Sequence, residues 1–186
     1  MLMGEIKGFT LIELMMSLAI SAIVLTVAIP NFASFSQNSR VTSQTNELIM
    51  AINLARGEAA KRGIRVALCR SADLDDSPTC SGSNYNWSTG WLVYAVGSDR
   101  SVPLFKSTAP ENDVLLAKGI PETGIEILSA GGANQNLEFN ADGTTNEGGS
   151  TAYFALCDSR GQDYGKLITV FPTGRPQLSD ATDCSP

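Results

Sequence analysis

A long, mostly apolar run near the N-terminus constrains this chain more than any other feature. It spans 21 residues from Phe9 to Ile29, and a helix of that length crosses a bilayer core of roughly 30 Å. The run contains one acidic residue, Glu13, and the next basic residue downstream is Arg40. Because a carboxylate in hydrocarbon is costly and usually marks function, the sequence predicts one membrane-spanning helix with a functional Glu13. The flanking charges are too few to fix the orientation of this helix.

The residues on either side of the run indicate how the chain is organised. The leader MLMGEIKG does not match a secretory signal peptide, because the small residue Gly8 precedes the apolar run instead of following it. The 156 residues after Pro30 are enough to bury a core of their own. They contain no internal repeat and no low-complexity linker. The sequence therefore predicts one globular domain on a membrane helix.

Composition excludes several classes of function. The formal net charge is −6, which disfavours a generally basic nucleic-acid binder because phosphate neutralisation needs clustered Lys and Arg. The chain has no histidine, which removes the commonest general base and the commonest zinc ligand. No spacing of carboxylates, Ser or Lys singles out a catalytic pair, so we expect neither an enzyme nor a cofactor.

A short acidic stretch, SADLDDSPTC, raises the question of a calcium site. Asp73, Asp75 and Asp76 lie close together in it. Their spacing does not match the EF-hand pattern, and Pro78 stands where a glycine turn and further ligands are required. A solvated loop is the better interpretation, and we expect no metal site.

Four cysteines, Cys69, Cys80, Cys157 and Cys184, lie outside the apolar run. Their spacing fits no CxxC metal or redox pattern, and an even number in a membrane-tethered domain indicates two disulfides in an oxidising compartment. Three pairings are possible, and free buried thiols are an alternative. The pairs Cys69–Cys80 and Cys157–Cys184 are favoured, because each is local and closes a loop-like stretch. The shorter loop stabilises by roughly 3 kcal/mol in the chain-entropy model.

The segment after Pro30 carries a helical pattern followed by strand patterns. Apolar and small residues recur three and four positions apart along one helical stripe, which consists of Val41, Thr45, Leu48, Ile52, Ala55 and Ala59. Gly63 marks the expected helix end. Short β-branched and aromatic runs then alternate with turn residues, which predicts strands at 65–69, 90–96, 102–105, 113–118, 125–129, 137–140, 151–157 and 166–171. One long helix packed on antiparallel strands is an α+β fold.

Two further groups of residues have structural interpretations. Trp87 and Trp91 are expected to pack the sheet against the helix rather than to contact another subunit. Four basic residues near the helix end are expected to form a solvated face or a subunit contact rather than a ligand site. They are Arg56, Lys61, Arg62 and Arg65.

The N-terminal residues carry a family resemblance. The stretch GFTLIE from Gly8 to Glu13 resembles the processing signal of type IV pilins and type II secretion pseudopilins, and Pro30 matches the position of their helix-kinking proline. The resemblance implies that a prepilin peptidase cleaves after Gly8 and methylates the amine of Phe9. In a filament, Glu13 would then pair with the N-terminal ammonium of a neighbouring subunit, because an unpaired buried charge is heavily penalised. The alternative is that Glu13 only snorkels at the membrane interface.

Further stretches resemble the minor pilins and pseudopilins of the FimT/FimU/GspH type, and FimU most of all. These stretches are 46–63, 86–94 and 171–179. In family members that bind DNA, a second arginine follows two positions after the one that corresponds to Arg175. Here that position is Gln177, and acids outnumber basic residues from Thr151 onwards, so DNA is disfavoured as a partner. Gly174 and Arg175 are retained as a candidate ligand segment.

These observations predict a pilin-like protein in four segments. They are a leader at 1–8, a membrane and filament-packing helix at 9–30, an amphipathic helix at 31–64 and a β-rich periplasmic domain at 65–186. The resemblance implies a single-pass inner-membrane precursor that assembles with other minor pilins and the major pilin into a type IV pilus. A tip or priming role is the expected function. A GspH-like pseudopilin of type II secretion and a FimT-like DNA-binding pilin are the alternatives.

Overall fold

The structure is a computed structural model that describes residues 8–73, 79–80, 85–95, 115–133, 136–146 and 148–184. The chain forms two compact units, Met1–Ser39 and Arg40–Pro186, and all the described strands belong to the second. The strand predicted at 102–105 and the acidic residues Asp75 and Asp76 lie outside the described residues.

One helix, α1, comprises Leu11–Arg62. Pro30 lies inside it, and its last turn is followed by Gly63 with φ 65°, a left-handed conformation that glycine adopts at little cost. From Arg40 onwards α1 has one buried stripe, which contains every residue of the predicted one together with Gln44 and Ala51. This stripe fixes which face of the helix meets the sheets.

The first sheet, called sheet one here, is antiparallel and is built around β1. It contains β1 (Val66–Asp73), β2 (Thr79–Cys80), β3 (Trp91–Ala95), β4 (Leu115–Gly119) and β6 (Asn136–Phe139). β3 pairs with one edge of β1 and carries β4 on its far side, whereas β6 and β2 pair with successive parts of the other edge of β1. The predicted strands at 65–69, 90–96, 113–118 and 137–140 fall on four of these elements.

The second sheet, called sheet two here, contains β5 (Ile125–Gly131), β7 (Ala152–Asp158), β8 (Lys166–Val170) and β9 (Pro176–Asp180), all antiparallel and in the order β5-β7-β8-β9. The outer edge of β5 is paired with the segment 85–88, where Trp87 N donates to Ile127 O at 2.7 Å and Ser129 N donates to Tyr85 O at 2.7 Å. This segment leads into β3 and so connects the two sheets. A short 3-10 helix, Gln162–Tyr164, joins β7 to β8.

β9 is an edge strand among the described residues, and its backbone pattern follows from the turn before it. Phe171 N donates to Arg175 O at 3.2 Å, and the β8–β9 register then continues without a shift. Because an antiparallel ladder bonds alternate residues, Pro176, Leu178 and Asp180 direct their backbone groups away from β8.

The core lies between the two sheets and the buried stripe of α1. Its large side chains include Trp87, Trp91, Phe139 and Phe154, each with 1% of its surface exposed or less. The rings of Trp87 and Phe154 meet edge to face, with centroids 5.0 Å apart. Both tryptophans therefore pack where the sequence analysis expects them.

Two disulfides close local loops, Cys69–Cys80 and Cys157–Cys184, which is the favoured pairing. The first lies on the outer face of sheet one, in a small cluster with Leu92 and Tyr94. The second attaches the C-terminal segment to β7. Each disulfide thus holds a short segment against a sheet.

Candidate functional site

The start of α1 is built by a reciprocal pair of side chains, Thr10 and Glu13. Glu13 N donates to Thr10 Oγ1 at 3.3 Å, and Thr10 N donates to Glu13 Oε2 at 3.5 Å. This is a capping box, in which a threonine before the helix and a glutamate three residues later satisfy each other's backbone N–H groups. This capping box was not predicted from the sequence, although Thr10-x-x-Glu13 before an apolar run is its usual signature.

The first unit of the chain exposes an apolar helical surface. Every residue from 11 to 29 is exposed, and Phe9 has 83% of its surface accessible. Of the described helices, α1 is long and apolar enough to cross a membrane. A continuous apolar surface of this size requires an apolar environment, either lipid or other helices.

Polar side chains within this surface bond to the backbone of their own helix. Ser17 Oγ donates to Glu13 O at 2.8 Å, and Ser21 Oγ donates to Ser17 O at 2.7 Å. Near Pro30, Asn31 Nδ2 donates to Val27 O at 2.8 Å. These bonds remove free donors, which would be expensive in hydrocarbon. The ionisable side chain of this run is that of Glu13.

The basic residues near the end of α1 have partners in their own chain. Arg62 Nε lies 2.6 Å from Glu58 Oε2, and this hydrogen bond lowers the pKa of the Glu58 carboxyl. Arg65 Nη1 lies 3.3 Å from Glu138 Oε2 on β6. Lys61 and Arg62 are exposed, as expected for a solvated face, and these side chains also pair with acids of the same chain. The alternative of a subunit contact stays a prediction.

Arg56 lies at a junction between α1 and two turns. Its Nε donates to Gly143 O at 3.2 Å. Gly143 (φ 79°) and Gly174 (φ 75°) are both left-handed and buried, and a Cβ at Gly174 would overlap Gly143 O and approach the Arg56 side chain. The turn before β9 therefore packs directly on the turn after β6, with the Arg56 side chain beneath them.

The candidate ligand segment follows from this junction. Gly174 is its buried, conformationally fixed residue, whereas the neighbouring Arg175 is exposed. The structure does not bring Arg175 together with the other basic residues of the C-terminal region, since Lys166 pairs with Asp180 at 2.5 Å and Arg160 with Asp158 at 2.6 Å. The segment presents a single arginine, and within the described residues no group of acidic or cysteine side chains is arranged to hold a metal.

A second polar cluster ties the beginning of the packed half of α1 to sheet two. Arg40 Nε donates to Glu122 Oε2 at 2.6 Å, and its Nη2 donates to Thr123 O at 2.6 Å in the turn between β4 and β5. The Arg160 hydrogen bond is the main cause of a lowered pKa at Asp158, and the positive charge of Arg40 contributes. The cluster thus holds Arg40, at the start of the packed part of α1, against the turn before β5.

Comparisons with known protein families give two matches, one to the globular part of the chain and one to its N-terminal segment. The family model of the type II transport protein GspH matches residues 44–174, which is 131 of the 186 residues. The prokaryotic N-terminal methylation motif matches residues 3–29. No curated protein sequence matches the chain.

Solved structures with a similar fold are minor pilins and a pseudopilin. Two crystal forms of the type IV minor pilin FimU of Pseudomonas aeruginosa align with TM-scores of 0.55 and 0.58 at 22% and 23% identity, covering 77% and 81% of this chain and 99% of FimU. The minor pseudopilin EpsH of the Vibrio cholerae type 2 secretion system aligns with a TM-score of 0.51 at 11% identity, covering 76% of this chain and 97% of EpsH. This likeness confirms the predicted fold class, one long N-terminal helix packed on antiparallel sheets.

Proposed function

The chain belongs to the GspH family of type II transport proteins, and from this membership together with the fold likeness to the minor pilin FimU we propose that it is a minor pilin of a type IV pilus. Its role is that of a tip or priming-complex subunit that promotes pilus assembly. The family consists of structural pilins and pseudopilins, and this role is structural and requires no cofactor.

Processing precedes assembly in this proposal. A prepilin peptidase removes residues 1–8 by cleaving after Gly8 and methylates the amine of Phe9. Residues 9–30 hold the precursor in the inner membrane, and the domain formed by 31–64 and 65–186 lies in the periplasm. The methylation motif at residues 3–29 supports this sequence of events.

The observation that carries the proposal is the exposed apolar helix with one carboxylate in its first turn. After cleavage, Glu13 lies about one helical turn from a new ammonium group, that of its own chain or of a neighbour. When apolar helices pack together, an unpaired carboxylate is strongly destabilising, so that one register, in which Glu13 meets a neighbour's ammonium, is favoured. Pro30 lacks the N–H that would complete the helical hydrogen bond to Thr26 O, which makes this the expected position of helix adjustment during packing.

A role in type II secretion is the second candidate function, and the name of the matching family favours it. The structural likeness to EpsH is compatible with this role, but the two sequences are only 11% identical. The pilus is preferred because of the two disulfides, which would protect a subunit exposed outside the cell, and because of the Gly174-Arg175-Pro176 segment. Both functions use the same leader and helix, so only a functional assay separates them.

The experiment is a deletion strain of the native host complemented with wild type, Glu13→Ala or Asp163→Ala. Sheared surface pili and secreted exoproteins are measured side by side. We expect the deletion to abolish pili and leave secretion intact, with rescue by wild type and by Asp163→Ala, whose carboxylate is exposed in the 3-10 helix, but not by Glu13→Ala. Loss of secretion with intact pili would reject the pilus in favour of the pseudopilus.

A further inference from the structure

The outer face of sheet two, which points away from the core, carries an unusual combination of residues. The strand register aligns Ala130, Tyr153, Thr169 and Gln177 in one straight row across the four strands. Tyr153 has 40% of its surface exposed. Aromatic side chains on a solvent-facing sheet surface are typical of interfaces.

The next position along the same face adds a second aromatic residue and a charge. Phe171 lies two residues after Thr169, and Arg175 lies two residues before Gln177. Across the hairpin, Phe171 N donates to Arg175 O. Their side chains therefore lie beside each other on the outer face. Phe171 is 40% exposed and Arg175 is exposed, so an aromatic ring and a guanidinium are available together.

On the other side of the tyrosine row, the same face has a cavity of about 130 Å³. Its floor is mostly apolar and includes Leu128, Ala155 and Leu167, and its rim is formed by Tyr153 and by Thr182 and Asp183 of the C-terminal segment. The Cys157–Cys184 disulfide holds that segment in place. Because a cavity of about 150 Å³ admits benzene, this one accommodates one aliphatic or small aromatic side chain.

Arg175 differs from the other described basic residues of the second unit, because no partner for it lies among the residues that the structure describes. Each of the others interacts with a group of the same chain, as Arg160 does with Asp158 and Lys166 with Asp180. Two acidic residues belong to this face: Glu126, three rows away from Arg175 and roughly 20 Å along the strands, and Asp183 at the rim of the cavity, beyond the tyrosine row. The local charge at Arg175 is therefore positive and uncompensated, on a chain whose net charge is −6.

We propose that the outer face of sheet two is the surface on which this chain docks another pilin subunit. An apolar side chain of the partner fills the cavity above Leu128 and Leu167, its backbone crosses Tyr153, and a carboxylate of the partner pairs with Arg175 beside Phe171. Tyr and Arg are among the residue types that dominate binding energy at protein interfaces, and Phe is enriched there. Bidentate Arg–carboxylate contacts supply orientation. The proposal rests on the proposed function, because it takes the partner to be a filament subunit.

The same observations favour a protein partner over single-stranded nucleic acid. Binding along a phosphate backbone needs several cations, and its strength scales with their number. The face offers one arginine, and the described cations nearest to it in the sequence are paired with acids. The apolar cavity would also find no apolar group to bind in a phosphate–sugar backbone.

The test places a photo-crosslinking aromatic amino acid in the full chain, expressed in the native host, at Tyr153 or at Phe171. The control position is Gln162, exposed in the 3-10 helix between β7 and β8. Adducts are identified by mass spectrometry, with and without nuclease treatment. The same positions are then combined with Arg175→Gln, and with Lys61→Gln as a matched loss of one exposed positive charge. The disulfide state of each variant establishes that it has folded.

We expect adducts at Tyr153 and Phe171 that contain another subunit with an N-terminal methylation motif, and none at Gln162. Arg175→Gln should reduce their yield about tenfold, as expected for loss of one charge-assisted contact, and Lys61→Gln should leave it unchanged. Adducts insensitive to Arg175→Gln, or found only at Gln162, would overturn the proposal. Nuclease-sensitive adducts would replace it with nucleic-acid binding. If the deletion strain loses secretion instead of pili, an adduct with a pseudopilin would retain this surface and reject only the pilus function.

Discussion

Glu13 has one role in the structure and a second in the proposed filament. In the structure its carboxylate completes the capping box with Thr10, and in the filament it pairs with a neighbouring ammonium. The two roles are separable, because a capping box accepts Gln as well as Glu, whereas the ion pair requires the charge. A lone carboxylate in an apolar run is therefore compatible with two different reasons for being there.

Three variants separate the two roles of Glu13. Glu13→Gln keeps the cap and loses the charge, Thr10→Ala loses the cap and keeps the charge, and Glu13→Ala loses both. We expect Glu13→Gln to enter filaments as poorly as Glu13→Ala, on the order of a hundredfold below wild type, because the neighbour's ammonium is left unpaired. Thr10→Ala should reduce entry only a few-fold, in line with about 1 kcal/mol for a cap. The measurement is the ratio of filament to membrane protein by immunoblot; entry of Glu13→Gln at the wild-type level would contradict the pairing.

Gly174 is the residue where the backbone leaves least freedom. Gly174→Ala should destabilise the full chain by about 2–3 kcal/mol, because it combines a left-handed backbone with overlap on Gly143 O. The matched control is Gly148→Ala, which has φ 61° but nothing within 4 Å of the added methyl group, and should lose about 1 kcal/mol. Urea unfolding in detergent measures both, and equal losses would show that the contact with Gly143 contributes nothing.

At the scale of elements, the two disulfides are expected to contribute unequally. They close loops with sequence separations of 11 and 27 residues. In the chain-entropy model, Cys69→Ser/Cys80→Ser should lose about 2.8 kcal/mol and Cys157→Ser/Cys184→Ser about 3.6 kcal/mol, since the longer loop restricts the unfolded chain more. Urea unfolding of the two double variants under oxidising conditions checks the order. A larger loss for the shorter loop would contradict a dominant entropic effect.

Periodicity predicted the elements better than it predicted their arrangement. The helical stripe from Val41 to Ala59 was predicted from its spacing of three and four residues. The strands that begin at Ile125, Ala152 and Lys166 were predicted from β-branched and aromatic runs between turn residues. The division into two sheets was not, because a buried face does not specify which strand it pairs beside. β9 was missed for a related reason: its residues PQLSD are mostly exposed and begin with proline.

The candidate site divides in the same way. The leader, Glu13 and Pro30 were identified from a local motif, because recognising them requires only the order of residues near the N-terminus. The contact of Arg56 with Gly143, which lies 87 residues away, and the row through Tyr153 depend on register between strands. Local sequence carries no signal for such contacts beyond the glycines in the two turns.

At the scale of the whole molecule, the second unit should fold without the first. A chain that begins at Arg40 retains the complete buried stripe of α1 and the whole compact unit Arg40–Pro186. We expect it to be soluble, to form both disulfides and to unfold cooperatively in urea. The packing of α1 on the sheets, rather than the apolar run, would then be what stabilises this unit.

The control for this prediction is a chain that begins at Ile49. It lacks the buried residues Val41, Gln44, Thr45 and Leu48, and with them two turns of packed helix. Loss of buried side chains costs about 2–5 kcal/mol for a leucine alone, so we expect this shorter chain to be unfolded or insoluble. Cooperative unfolding of both chains would mean that the helix contributes little to the core.

The exposed edge of β9 affects whether copies of this chain could aggregate by pairing strand to strand. A bare strand edge is a template for the edge of another copy, which is the route to amyloid-like aggregates. Here the first outward position of that edge is Pro176, which has no N–H to offer, and the last is Asp180, which carries a charge. Backbone-to-backbone growth is blocked at both ends of the strand. In the proposed filament, subunits are therefore expected to associate through helices and side chains and not by extending a sheet from one copy to the next.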